Sequence, residues 1–492
     1  MSKYENKFVR AAKEVENITY TENGCVAQKS TLNHLVDLFA VIGSIRNRSD
    51  DEIIELFDKA YNQDKLLALK CLFYAADIRE GLGERKVFKI ILNHLAFYDP
   101  EVLKLNINLI PEYSRWDYLY ALDRTPLEND MWKIMKDQTL ADLENARENK
   151  PVSLIGKWLK SLSASNSESR RLARKTAKAF GLSYKDYRHV LVLLRKQINI
   201  VENHLRESSY EDIDYSKIPS KAMHIYSDAF YINDLDHYSK YLNAVSKGEA
   251  KINSTVMYPY DLVKPYIKND YRTDDTSIEL QWKNLPNYVS DGNILVVADV
   301  SGSMSCNNYI PISTSVGLAI YFAERNNGEF HNMLMTFSSE PQFVTISENS
   351  SLYSKVREVL NGDWGSNTDI EAALTKIIDT ATSHHVPKKD MPKSLIIISD
   401  MEFDSCTTGT DFYDTMKIKY EEAGYNIPNV VFWNVNSHQN TFHAAFDTKG
   451  VQLASGASTA VFKSLVSGEK ITPEEYMLSV LNTERYSNIN IK

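Results

Sequence analysis

The sequence predicts a multidomain chain, an α-solenoid of helix pairs followed by a doubly wound α/β domain. Apolar residues recur at helical spacing through the first half, and beyond residue 290 short apolar runs alternate with amphipathic ones. A chain of 492 residues with 43% apolar content is also too long to close around one core.

The helical elements come first. Leu32, Leu35, Val36, Phe39 and Ile42 fall on one helical face, as do Ile53, Ile54, Leu56 and Phe57, then Leu66, Leu69, Leu72 and Phe73. Val87, Phe88, Ile91, Leu92 and Leu95 continue the pattern, followed by Val102, Leu105 and Leu109. The intervening turns SDDE, NQDK and YDPE are short and polar. Helices at such spacing, without a strict sequence repeat, predict a stacked array over 20–285. The polar stretch 269–291 reads as its boundary.

The α/β domain is expected over 290–470. The run 293–300 (NILVVADV) is apolar until its final Asp and reads as a buried parallel strand. Then follow a helix at 312–324, a strand at 332–337, a short edge strand at 343–346, and helices at 352–360 and 369–382. Strands at 394–399 (SLIIIS), 429–434 (NVVFWN) and 450–453 complete the sheet. Residues 471–492 hold a closing helix at 473–481 and a loose tail, SNINIK.

Asp299, Ser301, Ser303, Thr368 and Asp400 form a candidate divalent-metal site. Magnesium takes oxygen ligands in near-octahedral geometry and keeps some of its water, so carboxylates with neutral hydroxyls suit it. Gly302 lets the loop turn tightly enough to aim both serines at one point. Thr368 follows the loop 362–367 (GDWGSN), and Asp299 and Asp400 both end apolar strands, where open α/β sheets bind ligands. The competing reading makes Asp299 a turn cap and the serines local hydrogen-bonders. The series DVSGSM, then Thr-Asp after a Gly-rich loop, then ISD after a strand resembles the metal-ion-dependent adhesion site of von Willebrand factor A domains, a Rossmann-like fold. That resemblance implies a bound Mg ion, or another divalent cation, whose shell a protein partner completes with a carboxylate.

Charge is unevenly placed. The chain carries −9 overall, yet 151–200 holds 11 Lys and Arg against 2 acids, while 291–492 holds 14 bases against 24 acids. A polyanion is the natural partner for such a basic segment. There is no long apolar run and the first residues are polar, so a soluble, cytoplasmic protein without membrane association is expected. Cys25, Cys71, Cys306 and Cys406 include no CxxC pair, which predicts free thiols. Cys306 and Cys406 lie just past the two candidate metal-binding turns.

Five strings carry a second resemblance: DIREGLGERKVF at 77–88, IPEYSRWDYL at 110–119, SLIGKWLKS at 153–161, YRHVLVLLRKQINIVE at 187–202 and IDYSKIPSKAM at 213–223. Together they resemble the TROVE module of the Ro autoantigen and telomerase-associated proteins, and with the metal domain the likeness covers roughly 20 to 480. It implies HEAT-like repeats bent into a ring closed by the von Willebrand domain, binding small noncoding or misfolded RNA. The matching candidates are Arg170, Arg171, Arg174, Lys175 and Lys178, with Tyr187, Arg188, Arg195 and Lys196 on the next helix. Arg171, Arg174, Lys175 and Lys178 share a helical face that suits phosphate contacts, and a nearby Tyr or Trp could stack bases. Two alternatives stand beside this: a solvated face neutralised by the acidic domain, and an interaction scaffold that binds no RNA.

Enzyme signatures are absent from the sequence: no HExxH, GxSxG, kinase set or P-loop occurs. His384 and His385 lie in a polar helix-end segment, where exposure is expected. Gly81 and Gly83 read as a helix terminus in preference to a phosphate cradle. Glu402 and Asp404 offer a nuclease-like two-metal cluster only if further carboxylates join them. A non-enzyme is expected.

Overall fold

The computed structural model describes residues 6–198, 200–268, 275–289, 293–362, 368–404, 412–465 and 470–492. Helix Asp50–Gln63 starts at a capping box, Ser49 with Glu52, and Asp64 both ends it and caps Lys65–Ala76. Helix Lys86–Tyr98 follows. Phe57, Tyr61, Leu72, Phe73, Phe88 and Leu92 are fully buried between these helices. Each such side chain contributes about 1.5–3 kcal/mol on burial. Gly81 makes the turn possible, since a Cβ there would stand 2.0 Å from the Tyr74 carbonyl oxygen.

The periodic reading fails at Leu105, which is exposed. Helix Pro100–Asn106 gives way at once to the 3₁₀ turn Ile107–Leu109, which shifts the inward face. The helical region also holds two cores. Residues 35–191 share one that is continuous with the α/β domain, whereas Val201, Ile213, Tyr215, Met223, Phe230, Tyr238 and Leu242 build a second with Leu280.

Near the N-terminus, β1 (Ile18–Tyr20) and β2 (Val26–Gln28) form an antiparallel hairpin. The large sheet contains β3 (Ile294–Ala298), β4 (Met333–Thr336), β5 (Phe343–Thr345), β6 (Ser394–Ser399), β7 (Asn429–Asn434) and β8 (Val451–Ser455). Their order is β5-β4-β3-β6-β7-β8, parallel throughout except for β5 at the edge. Helix Cys306–Arg325 connects β3 to β4, Leu352–Leu360 and Ile370–Ser383 lie between β5 and β6, and Phe412–Glu422 lies between β6 and β7. Cys306–Arg325 begins earlier than its pattern predicts, across a kink where Asn307, Asn308 and Tyr309 have φ of 50, 60 and 61°.

Two segments read as linker and tail are structured. Helix Thr276–Lys283 lies inside the polar boundary stretch, with the Asp275 side chain accepting from the Ser277 and Ile278 amides. Its Trp282 Nε1 donates to Glu324 Oε2 at 2.7 Å, which fixes the helix to the α/β domain. The terminal SNINIK is anchored, not loose: Ile489 is buried, the Asn490 amide donates to Asn106 Oδ1 (2.9 Å), and Asn106 Nδ2 returns to the Asn490 carbonyl (2.6 Å).

The helical region meets the α/β domain at both of its ends. Gly43 N donates to Ser455 Oγ, and Arg48 donates to the Ser437 and Gln439 carbonyls. At the other end, helix Pro259–Ile267 packs so tightly on Cys306–Arg325 that a Cβ on Gly317 would lie 3.0 Å from the Pro259 carbonyl carbon. Among the described residues no helix is long and apolar enough to cross a membrane.

Candidate functional site

Asp299 follows β3 and Asp400 follows β6, two parallel neighbours paired from Ile294–Ser394 to Ala298–Ile398. From β3 the chain runs outward through β4 to β5, then crosses back to β6 on the other side. The two carboxylates therefore flank the point where strand order reverses, the place where open α/β sheets hold ligands.

Asp299 is fully buried. Its Oδ1 accepts from the Ser301 amide at 2.8 Å and its Oδ2 from Ser399 Oγ at 2.6 Å, while its own amide donates to Ser315 Oγ and to the Ile398 carbonyl. Ser301 Oγ and Ser303 Oγ stand 3.1 Å apart, the first half-buried and the second exposed. Asp400 is 1% exposed; one oxygen accepts from the Glu402 amide at 3.3 Å, and Oδ2 is buried without a hydrogen-bond partner among the described residues. Burial, then the charge of Asp400, pushes the Asp299 carboxyl up to about 7. Burial likewise raises Asp400, against the opposing pull of Ser303 and the Glu402 amide.

Two buried carboxylates that resist ionisation, one oxygen of which finds no donor among the described residues, suit a cation better than a second proton. The hard oxygen set of Asp299, Ser301, Ser303 and Asp400 fits Mg²⁺. Thr368 is 2% exposed, but its hydroxyl donates to the Glu402 carbonyl at 3.1 Å and its amide to Asp404 Oδ2 at 2.6 Å. It is thus tied to the loop that follows Asp400. Residues 363–367, the Gly-rich part of its loop, lie outside the described residues, as does Cys406. Among the described residues no group of three or more His, Cys, Asp or Glu side chains is placed to hold a metal, so hydroxyls are needed.

Glu402 is spoken for. Its carboxylate accepts from the Glu22 amide (2.7 Å), Gln439 Nε2 (3.2 Å) and Thr441 Oγ1 (3.3 Å). Glu22 belongs to the β1–β2 turn, whose Thr21 hydroxyl donates to the Phe403 carbonyl and whose Gly24 bridges to Asp404. Sequence reasoning missed this hairpin, although ITY, then Asn-Gly, then VAQ was the signal for it. Cys306 also borders the site, its Sγ accepting from Asn307 Nδ2 (3.2 Å) and Asn436 Nδ2 (3.4 Å).

The basic segment forms helices Ser167–Phe180 and Tyr184–Ile198. Half of its candidate residues are occupied. Arg171 pairs with Asp123 (2.5 Å) and with Glu168, and Lys175 pairs with Asp123 (2.6 Å) and Glu128 (2.8 Å). Arg170 donates to the Ala164 and Ser165 carbonyls. Arg195 ties Gly156 O, Ser161 Oγ and Leu159 O together at 2.9–3.0 Å, a structural clamp. Tyr187 is buried and donates to the Lys160 carbonyl, so it offers no ring for stacking. Arg174, Lys178, Arg188 and Lys196 are exposed, and among the described residues no carboxylate pairs with them.

A family model described as a domain of unknown function, DUF2828, matches residues 21–115 and 131–294, more than half of the chain. The chain belongs to the DUF2828 family. A second model, a domain of unknown function named DUF7788, matches 293–490. The protein called Uncharacterized protein L728, from Acanthamoeba polyphaga mimivirus, is 28% identical over 508 aligned positions, covering 94% of this chain and 87% of that one. Among solved structures, the crystal structure of Deinococcus radiodurans RO (RSR) protein is similar over 92% of this chain and 99% of its own, at 13% identity and a TM-score of 0.47. That likeness is too distant to carry an argument. The exposed cations lie in the DUF2828 match and all five candidate metal residues in the DUF7788 match.

Proposed function

We propose that this DUF2828 protein is a Ro-like RNA-binding protein that holds small noncoding or misfolded RNA on its helical region. The observation that carries the reading is the exposed quartet Arg174, Lys178, Arg188 and Lys196, unpaired among the described residues, on adjoining helices of a chain whose net charge is −9. Such a group favours phosphates through counterion release. The sequence resemblance to TROVE modules supports the same reading. Sequencing the nucleic acid that co-purifies with the protein tests it: enrichment of small structured RNA is expected, and a protein that carries no RNA and binds none at low salt refutes it.

The α/β domain, in this proposal, is von Willebrand A-like and serves docking rather than catalysis. Asp299, Ser301, Ser303 and Asp400 would hold Mg²⁺, with Thr368 reaching the site from its own loop. The ion would supply an electron-poor centre for a carboxylate of a protein partner. Asp299 and Asp400 set the charge, Ser399 and the Ser301 amide fix the orientation of Asp299, and the β1–β2 hairpin secures Glu402 away from any second metal.

A metal-dependent assembly scaffold without RNA is the second reading. It is favoured by the pairing of Arg171 and Lys175 with Asp123, which spends part of the basic face within the fold.

A further inference from the structure

Three cations gather around one carboxylate where helices Lys86–Tyr98 and Ile155–Trp158 meet the 3₁₀ segment Trp116–Leu122. Arg115 donates to both oxygens of Asp117 at 2.9 Å, and Lys160 Nζ lies 3.6 Å from Asp117 Oδ2. Lys89 Nζ stands 4.7 Å from the centre of the Tyr118 ring, and the Arg115 guanidinium 5.2 Å from the same ring and 3.9 Å from that of Trp158. Lys89, Arg115 and Lys160 are half-buried. Burial lowers the Lys89 pKa; Asp117 raises it, and Arg115, Lys160 and Arg85 lower it further.

Two deficits meet here. Positive charge is in excess in a partly dry place, which costs stability unless a counter-charge is supplied. The Tyr118 hydroxyl is buried without a partner among the described residues, in a side chain with no exposure, and burial pushes its pKa up to about 12, so it stays a donor. A single oxyanion repairs both. Space lies alongside, in a cleft of about 590 Å³ that Lys89 lines together with Tyr120, Arg124 and Arg171, with Arg115, Lys160 and Tyr118 set behind its wall. The acids Asp123 and Glu168 in its lining are already paired with Arg171, and Asp50 lies 4.0 Å from Lys86.

We propose that Lys89, Arg115, Lys160 and the Tyr118 hydroxyl form a phosphate-binding site that opens to this cleft when the Lys89 side chain swings aside from the Tyr118 ring. A phosphate brings several acceptor oxygens and up to two negative charges, which matches the surplus better than the single charge of a carboxylate. The site does not rest on the RNA reading, because a free phosphate monoester and the singly charged phosphodiester of a nucleic-acid backbone both present anionic phosphate oxygens.

The test uses the full chain with inorganic phosphate, a nucleoside 5′-monophosphate and a short single-stranded RNA as probes, on wild type, Lys89→Gln and Tyr118→Phe. Without phosphate, both variants should melt at higher temperature than wild type, since each removes a deficit. Both should bind phosphate about tenfold more weakly or worse. Binding of the small probes with this loss identifies a free phosphate ester as the source. RNA binding alone with this loss identifies the backbone. The proposal is overturned if none of the probes binds wild type, if the variants bind as wild type does, or if Lys89→Gln and Tyr118→Phe both melt lower.

Discussion

Asp299 and Asp400 end adjacent parallel strands at the reversal of strand order, and the charge of Asp400 helps to hold the Asp299 carboxyl far above its ordinary range. The pair sets a pH dependence whose sign is fixed. Between about pH 4 and about pH 7 the folded chain retains a proton on Asp299 that the unfolded chain has released. Stability of the metal-free protein is therefore full below that window and falls as pH rises through it, by on the order of 4 kcal/mol at most. Urea denaturation in a chelator across this range should show the fall, and Asp299→Asn should flatten it. An equal slope in that variant removes Asp299 as the cause.

Asp400 Oδ2 lacks a hydrogen-bond partner among the described residues, so Asp400→Asn should lose little stability without metal and lose the response to it. Millimolar Mg²⁺ should raise the melting temperature of wild type and leave the variant unmoved. The same shift in both proteins would place the ion elsewhere.

The Asp77–Arg485 pair joins the helical region to the C-terminal segment. Asp77 is fully buried and accepts from Arg485 Nε (2.8 Å) and Nη2 (3.1 Å) and from the Tyr486 hydroxyl (3.3 Å). Asp77→Ala takes the buried acceptor from the phenol and leaves the guanidinium, among the described residues, only Glu112 at 3.6 Å, and should cost about 3 kcal/mol by denaturant titration. A cost below about 1 kcal/mol would show that the pair is not part of the fold's cohesion.

Arg195 and Arg174 should separate cleanly. Arg195→Ala frees three acceptors in a partly buried clamp, so it should lower the melting temperature. Arg174→Ala, at an exposed position, should leave melting within about 0.5 kcal/mol and weaken RNA binding. Loss of RNA binding by Arg195→Ala at temperatures where it remains folded, with none for Arg174→Ala, would reverse the assignment.

What the sequence made legible follows from how local each signal is. β3 and β6 are apolar runs that end on Asp, and helix Pro473–Leu481 opens on the capping box of Thr472 and Glu475, so all three can be read from adjacent residues. The hairpin strands have only three residues each and are held by contacts to Phe403, Asp404 and Phe442, which no local pattern encodes. Helix Thr276–Lys283 hides in a polar stretch because its buried Ile278, Leu280 and Trp282 are few. At the candidate sites, residue types were legible and pairings were not. Asp123 neutralises Arg171 and Lys175 from far along the chain, and Thr368 turns its hydroxyl to Glu402.

In the proposed function, exposed cations on the helical region hold RNA. The decisive measurement is single-stranded RNA affinity against salt for wild type and for a variant with Arg174, Lys178, Arg188 and Lys196 all changed to Gln. If all four sites contact phosphate, the slope of log affinity on log salt should be about −3 for wild type and near zero for the variant. Equal slopes in the two proteins, or no binding by wild type at about 50 mM salt, would contradict it.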